Sequence, residues 1–437
     1  MVSSKLLKDI IHVIAEPLAH VFNLSFKTGY IPVQLKTAKV IPIYKDGDKH
    51  CFSNYRPISL LSNFALLLEK IAASQMILYL NKYNILYEHQ YGFRRNHCTI
   101  HPVLHFLDKI YKGFNKDTPD YTLSVFIDLK KAFDTCDFSI LLSKLSHYGF
   151  KGMSNKWFQS YLTNRIQFTS INGINSNHAT LLTGVPQGSV LGPLLFLILI
   201  NDLFKASNLL STLLFADDTT FQLSSNDLNI LYTTVNLELE KAAEWFKANK
   251  LTLNVSKTKY MLFRKSSQVV DFTNLEIKLD GKSIDRIGED CKDNYFKFVG
   301  IKLDEHLTWC HHLNHVRGKL SSANYAISRI KNLLPPNIKL NIYNALFKSH
   351  MEYGLICWGG VKSSKLKPLY ILQKKCVRNI EGVNLRFHTD GLFKKYEILK
   401  LEDLFTLQTN SFMYKFINSK CPSSFNNFFV PFRGENH

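Results

Sequence analysis

Apolar residues recur at helical spacing across residues 7–30, with Ile10, Val13, Ile14, Leu18, Val21 and Phe22 on one stripe and Gly29 then Pro32 closing it. Residues 38–44 form a short β-like run that stops at the turn Lys45-Asp46-Gly47-Asp48. Helical spacing returns at 64–83. Residues 121–129 alternate cleanly, placing Tyr121, Leu123, Val125 and Ile127 on one strand face. Helices are predicted next at about 136–148 and 153–162. Past residue 165 the period shortens, giving β segments at 166–172, 180–184, 211–215 and 219–223 around an apolar helix starting near Ser189. The stretch 227–249 predicts an amphipathic helix with Leu237, Ala242, Trp245 and Phe246 inside. From 310 onward the pattern is helical only, broken at Pro335-Pro336, Gly359-Gly360 and Gly382. The chain thus reads as α+β followed by a mostly helical part, with a soft boundary near 305.

Composition narrows this picture. At 437 residues and 46% hydrophobic content the chain can bury a large core and should divide into two or three domains. Its 54 Lys and Arg against 35 Asp and Glu leave a formal charge of +19, which favours a polyanionic partner, nucleic acid ahead of an acidic membrane surface. Eight scattered cysteines with no CxxC pair argue against a disulfide framework and for a reduced intracellular setting. Lys5, Lys8 and Asp9 interrupt the first apolar stretch, so no secretory leader is expected. The greasiest run, 190–200, contains Gly192 and Pro193 and is too short to span a bilayer, so no membrane partner is expected.

Candidate chemistry gathers on carboxylates. Asp217 and Asp218 sit between two β-like runs, where adjacent acids are also ordinary turn residues. Asp128 abruptly ends the apolar strand Val125-Phe126-Ile127. If the two elements share a sheet, three carboxylates converge and repel unless hard cations compensate them. A pair of Mg²⁺ ions held about 3.5–4 Å apart by such groups is a standard device for phosphoryl transfer.

In their order along the chain, Asp128-Leu129-Lys130-Lys131-Ala132-Phe133-Asp134, then Gly184-Val185-Pro186-Gln187-Gly188-Ser189-Val190-Leu191-Gly192-Pro193, then Phe215-Ala216-Asp217-Asp218-Thr219 resemble the palm of reverse transcriptases of non-LTR (LINE-like, jockey-type) retrotransposons. Asn54-Tyr55-Arg56-Pro57-Ile58-Ser59-Leu60 and Tyr91-Gly92-Phe93-Arg94 are similar to that family's fingers-side blocks. Asn249-Lys250-Leu251 through Lys257-Thr258 is similar to a later palm block, and Cys357-Trp358-Gly359 with Leu372-Gln373-Lys374 resembles the thumb side.

The resemblance implies a right-hand polymerase fold. Residues 1–30 would be a helical extension, 31–303 the fingers and palm with an antiparallel sheet packed on helices, and 304–437 the helical thumb and C-terminal region. It implies RNA-directed DNA synthesis with an RNA template, a DNA primer and dNTPs, using two Mg²⁺ ions (Mn²⁺ as a substitute) on Asp128, Asp217 and Asp218. Phe133 would be the steric gate against a ribose 2′-OH, or else a core Phe opening a helix. Gln187 would line the incoming nucleotide, with Gly184 and Gly188 allowing close backbone approach. Arg56 would clamp triphosphate oxygens, Lys45 (or Lys39) adding a second cation. Lys257 would protonate the leaving pyrophosphate, or stand as a surface lysine. Arg94 and Arg95 would touch the template backbone, and Phe298-Val299-Gly300 would form the hairpin that grips the primer end.

Between residues 313 and 400 there are 16 Lys or Arg against 4 Asp or Glu, and Leu366, Leu369, Leu372, Cys376, Val377 and Ile380 recur at helical spacing. A helix with one face in a core and Lys374 and Lys375 towards nucleic acid fits this pattern, as does a solvated basic face. Cys310-His311-His312-Leu313-Asn314-His315 has metal-ligand residue types but no second ligand pair at finger-like spacing, which favours an ordinary amphipathic helix. Access to chromosomal DNA would imply the nucleus, although no dense basic run marks import. Cys98 and Phe138 depart from the family's usual Ser and His. Two other readings remain: a catalytically silent remnant with at most nucleic-acid affinity, and a metal-dependent nuclease using the same acids.

Overall fold

A computed structural model describes residues 3–429. β1 (Thr37–Tyr44) and β2 (Tyr55–Leu60) form an antiparallel hairpin whose register sets Ile43 opposite Arg56 and Tyr44 opposite Tyr55. β3 (Tyr121–Ile127) follows in the chain, and then β4 (Arg165–Ile171), which pairs parallel to β1. The short β5 (Ile174–Asn175) and β6 (Ala179–Leu181) pair with β4. β7 (Ser211–Phe215), β8 (Asp218–Ser225) and β9 (Lys259–Phe263) belong with β3 to a second sheet. The small hairpin of β10 (Lys278–Leu279) and β11 (Lys282–Ser283) leads to its last strand, β12 (Asp285–Ile287), and the order is β12-β9-β3-β8-β7. A final hairpin of β13 (Phe296–Phe298) and β14 (Ile301–Leu303) precedes a C-terminal part built of helices.

The second sheet lies between two cores. Leu123, Val125 and Ile127 face the first, which contains the helices Leu191–Ile200 and Leu228–Ala248. Phe126, Met261 and Phe263 face the second, shared with the helix Ile100–Phe114 and the C-terminal helices. Residues 122–127 are therefore buried on both faces, where alternation predicted one. The hydroxyls on the second face are satisfied within the sheet: Thr122 bonds Ser224, and Ser124 accepts from Gln222. The second core takes residues from both sides of position 303, so packing is continuous there.

Helix Leu191–Ile200 is buried at every position except Pro193, each Leu or Ile contributing about 1.5–3 kcal/mol. Glu69 accepts from Val190 N at 2.6 Å beside the start of this helix and from the Tyr161 hydroxyl at 3.0 Å; burial raises its pKa. The helix over Leu228–Ala248 forms where the periodicity placed it, but its inward face is Leu231, Val235, Leu239, Ala242 and Phe246. Leu237 is exposed and Trp245 only half-buried, because the stripe runs one residue away from Leu237. Helix Asn63–Lys82 is long and apolar enough by composition to cross a membrane. Here Ala65, Leu68, Ala72, Ala73, Met76 and Leu80 bury one side of it in the protein.

Candidate active site

Strand register brings the three carboxylates to one end of the sheet, near enough for their charges to act on one another. Ile127 pairs with Thr219, so Asp128 leaves β3 beside the start of β8. Phe215 pairs with Asp218 across a two-residue turn, Ala216-Asp217, in which Ala216 has φ +57°. Asp217 thus occupies the hairpin tip and Asp218 opens the returning strand, both next to the residue that ends β3.

Other segments hold this arrangement. The chain at 89–91 runs beside β7, with Tyr91 N donating to Leu214 O at 2.8 Å and Leu214 N to His89 O at 3.0 Å. Gln90 is buried, and its Oε1 accepts from both Gly92 N (2.8 Å) and Ala216 N (3.0 Å), tying the Asp-Asp turn to the Tyr-Gly-Phe-Arg block. Gly92 lies so close that a Cβ there would come within 2.3 Å of Ala216 N. On the other side, Asn254 Nδ2 donates to Asp128 Oδ2 at 2.6 Å, and the buried Thr258 Oγ1 accepts from Asp128 N at 3.2 Å. The later palm block therefore orients Asp128. Gln90, Asn254 and Thr258 lie inside or beside the sequence blocks, but their side-chain roles carry no sequence signal.

Desolvation raises the Asp217 pKa, helped by the Asp128 charge, while Arg56 and Lys45 act against the rise. Asp218 is pushed up to about 6 by desolvation and then by Asp217 and Asp128, although its side chain remains accessible. No salt bridge relieves the three carboxylates among the described residues. A cluster of hard oxygen donors, strained by its own charge and without a salt-bridged partner among the described residues, fits divalent cations.

The raised pKa has a stability consequence. Between the ordinary Asp value and about 6 the folded chain keeps a proton the unfolded chain has released, so stability falls as pH rises through that window. In the absence of divalent ions, Asp218→Asn should melt at a higher temperature than the natural chain at pH 7.5, the gap closing below pH 4. Added Mg²⁺ should raise the melting temperature of the natural chain more than that of the variant. Thermal melts at both pH values check this, and a lower melting temperature for Asp218→Asn at pH 7.5 would overturn it.

Arg56 and Lys45 flank the tip of the β1–β2 hairpin, Lys45 N donating to Asn54 O at 2.9 Å, and both charges reach Asp217. Lys39 pairs with Leu60 at the other end of the hairpin, which favours Lys45 as the second cation. Phe133 is half-buried, its ring 4.8 Å from the buried Phe196 and 6.3 Å from Phe93, between centroids. Gln187 donates from Nε2 to Asp134 Oδ1 at 2.9 Å, and its carbonyl accepts from Ser59 N at 2.7 Å, joining the Pro-Gln-Gly loop to β2. Gly188, at φ +123°, passes so near that a Cβ would stand 2.5 Å from Ser59 O.

Other candidates are placed differently. Arg94 donates from Nη1 to the carbonyls of Tyr87 (2.8 Å) and Gln90 (3.2 Å). Through these bonds it braces the loop beside the site; Arg95 is exposed. Lys257 is exposed in the turn after Asn254, its N donating to Asn254 O. Lys374 and Lys375 lie on the helix Ser363–Glu381, whose buried positions include Leu366, Leu369, Cys376, Val377 and Ile380. Lys374 stands 4.7 Å over the Tyr370 ring, whereas Lys375 is exposed along a groove with Arg317 and Lys367. Phe298 to Gly300 form the predicted hairpin, the Tyr353 hydroxyl donating to Val299 O at 2.6 Å. In the Cys310 segment His312 is buried and accepts from Lys302 N, which fits the amphipathic-helix reading. Glu289, Glu305 and His306 have donor atoms within 4.8 Å of one another, but the Glu305 carboxylate already faces Arg264 and Arg286.

A family model described as reverse transcriptase (RNA-dependent DNA polymerase) matches residues 43–303. The chain is 29% identical over 375 residues to the probable RNA-directed DNA polymerase from transposon BS of Drosophila melanogaster, covering 83% of this chain and 40% of that protein. It is 28% identical over 405 residues to the RNA-directed DNA polymerase from mobile element jockey of the same organism, covering 88% and 42%. The chain spans about two fifths of the length of these curated relatives. Among solved structures, apo telomerase from Candida Tropicalis aligns at 13% identity and a TM-score of 0.45, covering 90% of this chain and 68% of that one.

Proposed function

The chain belongs to the reverse transcriptase family, with relatives among jockey-type non-LTR elements, and from that premise we propose that it extends a primer 3′-OH with dNTPs on an RNA template. The observation that carries this reading is the convergence of Asp128, Asp217 and Asp218 at one end of the sheet, unpaired by any salt bridge among the described residues, with the charges of Arg56 and Lys45 reaching Asp217.

Asp128 and Asp217 would hold two Mg²⁺ ions, Asp218 contributing a weaker contact. When bound, such ions lower the pKa of an attacking hydroxyl and offset charge on the phosphates. Asn254 keeps Asp128 oriented, and Gln90 keeps the turn bearing Asp217 in register. Arg56 and Lys45, whose charges reach Asp217, would bind the triphosphate, Arg56 through its planar fork of donors. Lys257 would supply the proton taken by the departing pyrophosphate. Arg95 and Lys375 are the exposed cations offered to the nucleic-acid backbone, a contact that positions without reading sequence.

The reading is tested by primer extension with purified protein, poly(A)–oligo(dT), dTTP and Mg²⁺. Extension that stops on chelation of Mg²⁺ is expected. Primer–template binding without extension would mean a silent remnant, and cleavage without synthesis a nuclease. Phe133→Ala should raise incorporation of ribonucleotides relative to deoxynucleotides by about 10–200-fold, the range a shape-selective pocket commands. Unchanged discrimination would reassign Phe133 to the core.

A further inference from the structure

Phe93 combines three features that ordinary loop packing does not require. Its backbone sits at φ +55°, a region bulky L-residues avoid and that persists only where surrounding structure imposes it. Its side chain is 52% exposed, so burial does not compensate the strain. Its ring stands edge-on to Phe133, at 86° between planes and 6.3 Å between centroids. Phe133 therefore makes ring contacts with two other aromatics. Phe196, fully buried on the core helix, packs with its centroid 4.8 Å away, and Phe93 packs edge-to-face at 6.3 Å. The edge-to-face geometry sets the positive rim of one ring against the negative face of the other, which restricts rotation as well as position.

The same loop explains the strain. Gly92, the residue before Phe93, is pressed onto Ala216 of the Asp-Asp turn and tied to it through Gln90 Oε1. A chain leaving that contact must turn sharply, and the left-handed conformation at Phe93 is the turn. Ala216 offers only a methyl group at the hairpin tip, and a Cβ on Gly92 would stand 3.0 Å from it.

We propose that Phe93 is a positioning residue for sugar selection: by bracing the Phe133 ring it fixes the wall that rejects a ribose 2′-OH, and it links that wall to the carboxylate turn. This rests on the reverse-transcription reading and on Phe133 as the gate. Phe93 acts through Phe133, so its removal should loosen the wall without removing a group needed for chemistry.

The experiment measures kcat/KM for dTTP and UTP on poly(A)–oligo(dT) with the natural chain, Phe93→Asn, Phe93→Tyr, Phe133→Ala and the double variant Phe93→Asn/Phe133→Ala. Asn tolerates positive φ, so Phe93→Asn removes the ring while keeping the backbone. Phe93→Asn should lower discrimination against UTP by about 10-fold or more, within the range of shape selection, with kcat for dTTP changed less than about 3-fold. Phe93→Tyr should retain the natural discrimination. The double variant should discriminate no worse than Phe133→Ala alone, since both changes remove one wall. Unchanged discrimination in Phe93→Asn while Phe133→Ala relaxes it would overturn the role of Phe93 and leave the gate intact. Unchanged discrimination in Phe133→Ala would overturn both. A uniform loss of activity on both nucleotides in Phe93→Asn, with the ratio preserved, would make Phe93 structural only.

Discussion

Asp217→Asn is expected to reduce Mg²⁺-dependent extension by about 1,000-fold or more, equivalent to about 4 kcal/mol of transition-state stabilisation. The change keeps the shape of the side chain but removes a charge from a cluster in which desolvation, and then mutual repulsion, already lifts Asp217 and Asp218 above the ordinary carboxylate range. Without that charge the cluster no longer attracts divalent cations strongly, while the surfaces offered to nucleic acid are untouched. Primer–template affinity, measured by fluorescence anisotropy at fixed salt, should therefore change by less than about threefold, since phosphate contacts dominate it. Normal extension by the Asn variant would remove Asp217 from the metal site and with it the three-aspartate assignment.

Gly92→Ala should have the second-largest effect, although residue 92 carries no chemistry. The added methyl would lie 2.3 Å from Ala216 N and 2.9 Å from Ala216 Cα, both backbone atoms of the turn that carries Asp217. Backbone cannot rotate away as a flexible side chain does, so the turn or the 90–93 loop must move. A displacement near 1 Å at a reacting centre costs about 100-fold in rate, and a loss of that size in kcat is expected. The far-UV circular dichroism spectrum should be unchanged, because the clash is confined to two loops at the sheet edge. Gln90→Ala should give a milder loss, since it removes one acceptor shared by Gly92 N and Ala216 N but creates no clash. Natural kcat in Gly92→Ala would show that the turn tolerates movement and that its bracing is not needed for activity.

These two expectations differ in how they could be found. Asp217 announces itself as an acid pair between two apolar β-like runs, and the ordered blocks around it suggest its use. Gly92 stands in a block that resembles the family, but the reason for a glycine there is a contact with a residue 124 positions away.

Local physics made much of this protein readable from its residues. Period-3.6 and period-2 patterns located many of the helices and strands, because each element must turn its apolar side inward, but not the helix Ile100–Phe114 or the strands β2 and β9. The register-neutral facts, an acid ending one strand and an acid pair at a hairpin, were legible for the same reason. Chain order alone did not reveal that β3 would be buried on both faces, since its Thr122 and Ser124 look solvent-facing until Ser224 and Gln222 satisfy them. Nor did it place Leu237 outside its helix stripe, a matter of one residue of rotation that only the neighbouring sheet decides.

The sequence by itself determined which chemistry was available: hard carboxylate oxygens, a basic chain, and aromatic and amide side chains in an order that resembles a polymerase. Tertiary structure alone decided which of these groups come together and which brace the scaffold. It set Asn254 on Asp128, Gln90 on the Asp-Asp turn and Phe93 against Phe133, and it turned Arg94 inward to the carbonyls of Tyr87 and Gln90. The physical reason is range. Propensity and periodicity act over a few residues, whereas hydrogen bonds and ring contacts join whatever the fold brings within a few ångströms, with 126 residues separating both Asn254 from Asp128 and Gln90 from Ala216.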